Sequence, residues 1–196
     1  MRRSLVLFVC TALTASSAPS QAAIVVGPPE SARLRAGEVL LEVHIDEKEA
    51  AASVSAVIDI AATPDAVWAV MTDCALAPRF VPNLISCRVL QSDPAGRWDI
   101  REHMIDWAWF LPTVRNVFRS DYERPRLLRF KRVEGDLERS EGEWRLEPLN
   151  GGAATRLSYT ALLSPRSWIP PSLALSSVEA DVPKVLMALR RECTSK

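Results

Sequence analysis

The 196-residue sequence predicts an α+β fold in which a strongly curved antiparallel sheet wraps around a long C-terminal helix, with short helices after the first strand. Three observations predict it. From Ser86 to Leu163 the chain reads almost wholly as strands joined by short turns, the mark of an antiparallel meander. From about Pro171 to Glu192 it carries one apolar stripe at helical spacing. A helix signal stands at Thr63, between the early strands and the later ones. One long helix cannot cover both faces of such a sheet. A sheet curved around the helix is the economical solution, and because it must curve, its concave face and the stripe need not touch everywhere, so a cavity results.

The elements follow in order. Met1 to Ala22 reads as a secretory signal: Arg2 and Arg3 are basic, Leu5 to Leu13 is apolar, and Ser20-Gln21-Ala22 places small residues around a cleavage point. The alternative is an uncleaved anchor, but the apolar run is well below the ~20 residues of a spanning helix. Cys10 lacks the small residues that precede a lipid-modified cysteine. Residues 23–37 form an N-terminal arm with two prolines and no periodicity, and 38–196 form a single domain. Glu38–Asp46 and Ala52–Ile60 read as strands; in the second, Val54, Ala56, Ile58 and Ile60 alternate with Ser53, Ser55, Val57 and Asp59. Thr63-Pro64-Asp65 then opens a helix. Thr63 caps free amides, Pro64 occupies a position that needs no N–H, and Asp65 suits the positive end of the dipole.

Strand candidates follow at Ser86–Gln91, Arg97–Ile105, Val114–Tyr122, Arg126–Val133, Glu141–Glu147 and Thr155–Leu163. The breaks "SDPAG", "ERP", "EGDLE" and "NGG" are turn compositions. In the last helix Leu175, Val178, Val182, Leu186 and Leu189 make the stripe, and Pro183 inside it predicts a bend or two abutting helices.

Composition narrows the partners. Without Arg2 and Arg3 the chain has 22 basic and 24 acidic residues, so no general basic field favours nucleic acid. The cluster Arg124, Arg126, Arg129, Lys131, Arg132 alternates with apolar residues and reads as the solvated face of a strand. The mature chain has Cys74, Cys87 and Cys193. Three is odd, so at most one intramolecular bridge forms and one thiol remains. No CxxC or zinc-like Cys/His spacing occurs, and no metal or cofactor is expected.

"VSAVIDIAATPDAVWAVMTD" followed by "FVPNLISCRVL" resembles the opening of the START-like, Bet v 1-like helix-grip superfamily (SRPBCC). The similarity is closest to its polyketide cyclase/dehydrase and Coq10-like branch, in an exported form. "GEWRLEPLNGGAATRLSY" resembles that branch's strand pair and "DVPKVLMALRREC" its terminal helix. The resemblance covers roughly Val54 to Cys193. It implies a ligand cavity between the concave sheet face and the last helix, closed at one end by short turns after the first helix. Pro78 and Pro82 would hold Phe80, Val81, Leu84 and Ile85 in that lid. A Cys74–Cys87 bridge would pin the lid to the sheet; the alternative is two buried thiols.

Alternation places Asn116, Phe118, Ser120 and Tyr122 on one strand face, and Thr155, Leu157, Tyr159, Ala161 and Leu163 on another. If both face inward, Asn116, Ser120, Tyr122 and Tyr159 orient a ligand head group. The alternative is that Phe118, Leu157 and Tyr159 pack on the last helix. Phe80 of the lid and Val178 and Val182 of the stripe complete the candidate lining. His103 falls with Arg97, Asp99 and Arg101 on a face read as outward, and no residue is taken as catalytic. The turn around Trp107, Trp109, Phe110 and Leu111 is unusually aromatic. It suits a cavity mouth or transient contact with a membrane surface; the alternative is a turn folded back on the domain edge. The leading expectation is a binder or carrier of an apolar molecule (a lipid, isoprenoid or polyketide-like compound) outside the cytoplasm, in a periplasm. The second is a cyclase/dehydrase-type enzyme using the same cavity. The third is a protein-binding module that uses the aromatic turn, for which the sequence names no partner.

Overall fold

The computed structural model describes residues 23–46, 48–106, 112–166 and 171–195, with side chains of the last helix described from Ser176 onward. The signal segment lies outside them. Eight strands form one antiparallel sheet: β1 (Leu40–Asp46), β2 (Ala51–Ile60), β3 (Leu84–Ser92), β4 (Trp98–Ile105), β5 (Val114–Glu123), β6 (Leu127–Gly135), β7 (Leu137–Leu149) and β8 (Ala154–Pro165). Their spatial order is β1-β2-β8-β7-β6-β5-β4-β3. The hairpin β1–β2 therefore pairs with the end of the meander, and the connection from β2 to β3 crosses to the opposite edge. That crossing carries α2 (Pro64–Thr72) and α3 (Ala77–Phe80), and α4 (Pro171–Thr194) lies in the concave face. The short helices thus follow the second strand, because Glu38–Asp46 supplies a complete edge strand to β2.

The sequence signals act as anticipated at α2. The Thr63 hydroxyl accepts from the Ala66 amide at 3.3 Å, and Pro64 takes the first helical position. Val67 and Trp68 are the buried face of that helix. They join Ile58, Ile60, Leu157, Leu186 and Leu189 in the main core. α4 is one element with Pro183 inside it rather than two abutting helices. Tertiary packing of Leu186 and Leu189, both essentially unexposed, outweighs the missing backbone donor.

Two local differences have physical causes. The arm includes a two-turn helix, α1 (Pro28–Arg35). Two prolines occupy its first positions, and the Glu30 carboxylate accepts from the Gly27 amide at 3.0 Å. Leu34 then packs with Leu40 and Val57 in a second small core on the outer side of the sheet. The turn read from "EGDLE" contracts to Asp136, between the end of β6 at Gly135 and the start of β7 at Leu137. Gly135 has φ +113°, and a Cβ there would sit 2.3 Å from the Arg115 carbonyl oxygen.

Cys74 and Cys87 are joined by a disulfide with Cα atoms 5.4 Å apart. It ties the end of α2 to β3 across α3. A loop of this length contributes roughly 3 kcal/mol when closed. Labelling of the protein lacking residues 1–22, denatured without reductant, should report one thiol per chain, at Cys193. Three thiols would remove the bridge.

Candidate functional site

The sheet rows facing α4 set up the site. Opposed residues across neighbouring antiparallel strands share a face, and one row runs Ser120, Phe130, Gly142, Ala161, Val54. The next runs Tyr122, Leu128, Trp144, Tyr159, Ala56. Gly142 is a strand glycine for a steric reason. A Cβ there would lie 2.0 Å from the Thr160 carbonyl oxygen and 3.0 Å from the Phe130 ring. The bare backbone lets that ring lie over β7, and an aromatic wall results. Phe118 meets Phe130 edge-on at 6.2 Å, Phe130 stacks on Tyr159 at 6.2 Å, and Tyr159 meets Trp144 at 4.3 Å.

This wall, α3 and α4 enclose a cavity of about 290 Å³, near the lower end of small-molecule pockets. Most of its surface is apolar: Met71, Phe80, Val81, Ile105, Phe118, Leu128, Phe130, Leu137, Trp144, Leu163, Val182, Val185 and Leu189 contribute. Its polar groups are few: Arg101, His103, Asn116, Ser120, Ser140 and Tyr159.

Of the residues expected from the sequence, Phe80, Asn116, Phe118, Ser120, Tyr159 and Val182 line the cavity. Leu157 and Ala161 face inward but are wholly buried in packing and contribute no cavity surface. Val178 is half-buried and is not on the cavity wall. Tyr122 also points elsewhere. Its hydroxyl donates to Asp99 at 2.6 Å and accepts from Arg101 at 2.8 Å, and its ring meets Trp68 edge-on. Trp107, Trp109, Phe110 and Leu111 lie outside the described residues. The Arg126, Arg129 and Lys131 side chains pair with Glu123, Glu143 and Glu141 on the outer surface, as a solvated face should.

β4 corrects the sequence reading. Asp99, Arg101 and His103 were expected outward because they are polar, yet all three face inward. Asp99 and Arg101 are each only 6 % exposed. The register explains this: Asp99 opposes Ser120, Arg101 opposes Phe118, and His103 opposes Asn116. Residues opposed in this way cannot sit on different faces. Placing Asn116, Phe118 and Ser120 inward therefore required Asp99, Arg101 and His103 inward too. That hairpin register was the signal that could have found them.

Burial governs the electrostatics. The Arg101 guanidinium donates to both Asp99 oxygens, to the Thr72 carbonyl at 3.2 Å and to Tyr122. Burial works against its charge, and Asp99 and Tyr122 together more than offset that. Arg101 also borders a second pocket of about 200 Å³, lined by Trp68, Trp98, Asp99, Tyr122 and Arg124. The Asp99–Arg101–Tyr122 group is thus the partition between the apolar cavity and a smaller polar one. Burial pushes Tyr159 and Tyr122 well above the ordinary phenol range. It pushes His103 down to about 4, helped by the neighbouring Arg101 charge. At neutral pH the cavity wall therefore presents a neutral imidazole, the neutral Tyr159 phenol and a guanidinium already matched by Asp99.

Residues 60–190, well over half of the chain, match the sequence profile of the family described as polyketide cyclase / dehydrase and lipid transport. The chain belongs to this family. A comparison with curated proteins finds no match. Solved structures of polyketide cyclase/dehydrase and START-like relatives share its architecture. The STAR-related lipid transfer protein from Xanthomonas axonopodis superposes with a TM-score of 0.70 at 19% identity, covering 80% of this chain and 94% of that one. The Zhui aromatase/cyclase from Streptomyces sp. R1128 gives 0.60 at 22% identity, over 73% and 93% of the two chains. A START superfamily protein from Mycobacterium smegmatis gives 0.62 at 15% identity, over 72% and 96%. At these identities the likeness establishes the helix-grip fold of this polyketide cyclase/dehydrase family member.

Proposed function

We propose that the chain binds and carries an apolar small molecule, such as a lipid, isoprenoid or polyketide-like compound, in the cavity between its sheet and α4. The observation that carries this reading is the cavity wall itself: apolar side chains from eight elements around a few polar groups, of which the one charge, Arg101, is paired with Asp99. Burial of ligand against such a wall removes apolar surface from water at roughly 25 cal/mol per Å². The STAR-related lipid transfer protein among the similar structures is in keeping with it. The chain works outside the cytoplasm, in a periplasm: its N-terminus has the pattern of a secretory signal, and a disulfide persists in oxidising compartments. The aromatic turn at Trp107–Leu111 would make transient contact with the membrane from which ligand is taken.

Cyclase/dehydrase chemistry is the second reading, and His103 on the cavity wall is the observation in its favour. A ring that holds its proton only below about 4 is a weak base at neutral pH, which favours binding over proton abstraction.

Native mass spectrometry of protein purified from its own compartment tests the two. A co-purifying apolar mass is expected, and Val185→Trp, which projects into the cavity from α4, should lower its occupancy several-fold with little change in urea midpoint. An empty cavity that turns over an aromatic polyketide would sink the carrier reading.

A further inference from the structure

Two buried side-chain atoms on the cavity wall have no hydrogen-bond partner among the described residues: Nε2 of His103 and Oδ1 of Asn116. They belong to residues directly opposed on β4 and β5, whose Cβ atoms in such pairs stand ~4.5–5.5 Å apart. Asn116 is 8 % exposed. Native folds leave few buried polar atoms unpaired, because each keeps the full cost of its lost hydration. Two of them side by side, facing one cavity, point to a ligand group that bonds both.

Their chemistry restricts that group. Asn116 Oδ1 can only accept, and the amide nitrogen of the same side chain already donates to Ser140 Oγ at 3.4 Å. The His103 ring is neutral at neutral pH and carries one N–H. Phe118 holds it edge-on at 4.9 Å. With its proton on Nε2, the pair offers one donor and one acceptor. A hydroxyl satisfies both, accepting from Nε2–H and donating to Oδ1. An ether or ketone oxygen only accepts and leaves Oδ1 unmet. A carboxylate also only accepts, and the nearby cation that would draw it, Arg101, is already matched by Asp99.

We infer that His103 and Asn116 form a subsite for a neutral hydroxyl group, and that the cavity takes an apolar alcohol or phenol in preference to a fatty acid or a hydrocarbon. This rests on the cavity being a ligand site, as proposed above.

The test measures equilibrium binding to two matched probe sets: decan-1-ol, 1-methoxynonane and decanoate; 2-naphthol, 2-methoxynaphthalene and 2-naphthoate. In at least one set the hydroxyl compound should bind about tenfold or more tightly than its methyl ether and its carboxylate. Asn116→Leu should bring the hydroxyl-to-ether ratio to within about twofold while the ether still binds. Equal binding of hydroxyl and ether, or a preference for the carboxylate, overturns the subsite and leaves the apolar cavity standing. A hydroxyl preference that survives N116L overturns its assignment to this pair. Failure of all six probes overturns the cavity reading and the subsite together. The wild-type ratios decide the hydroxyl preference even if N116L does not fold, and His103→Phe then serves as the second variant.

Discussion

Arg101→Met is expected to cost roughly 3–5 kcal/mol of folding stability, read as a lower urea midpoint at unchanged slope. The substitution is close in shape but leaves the Asp99 carboxylate buried without its cation. Asp99 and Arg101 are equally hidden, and four of the guanidinium's bonds end on buried or half-buried oxygens. The cost comes from the orphaned charge more than from the lost attraction. The double variant Asp99→Leu/Arg101→Met should therefore recover at least half of the loss, since apolar replacement of a whole buried pair is often neutral. A loss below about 1 kcal/mol for Arg101→Met would mean that water reaches the pair, as at exposed ion pairs. The partition between the two pockets would then be open.

Acid should destabilise the protein through His103. An unfolded imidazole takes its proton near pH 6.5, whereas the buried ring takes it at about 4. Between those values the unfolded chain binds more protons, so stability is full above about pH 6.5 and falls as pH drops toward 4. The contribution lost between pH 7 and 4.5 is about 2 kcal/mol. Paired carboxylates add their own acid loss, so the informative quantity is a difference. Wild type should lose about 2 kcal/mol more than His103→Phe over that interval. Parallel stability curves for the two proteins would show that the ring is solvated and would also remove it from the hydroxyl subsite.

The fold was legible because its signals were local and redundant. Thr63-Pro64-Asp65 states a helix start in three residues, and the turns of the meander are marked by glycine, proline and aspartate. The cavity was legible only in part. Alternation correctly paired Asn116, Phe118 and Ser120 with the concave face, but it cannot say which inward residues meet empty space. Leu157 and Ala161 lie where β8 packs tightly between β2 and β7, while Tyr159 between them reaches the wall. The larger omission was β4. On that strand polar type and register point to opposite faces, and a buried ion pair with a buried imidazole breaks the usual link between polarity and exposure. Tyr122 shows the same limit: its face was right, but Asp99 and Arg101 hold its hydroxyl away from the ligand space.

The disulfide changes what kind of closure α3 can be. A lid that swings needs at least one free side. This one is bound covalently to β3 through Cys74 and Cys87, and Arg79 reaches Glu192 on α4 at 3.3 Å. It is a masonry end wall more than a door. Among the described residues this is the one disulfide. Leu137 and Leu163 border the cavity from β7 and β8, strands that lie well across the sheet from β3. Ligand exchange through this fold calls for movement elsewhere in the cavity wall than the segment between Cys74 and Cys87.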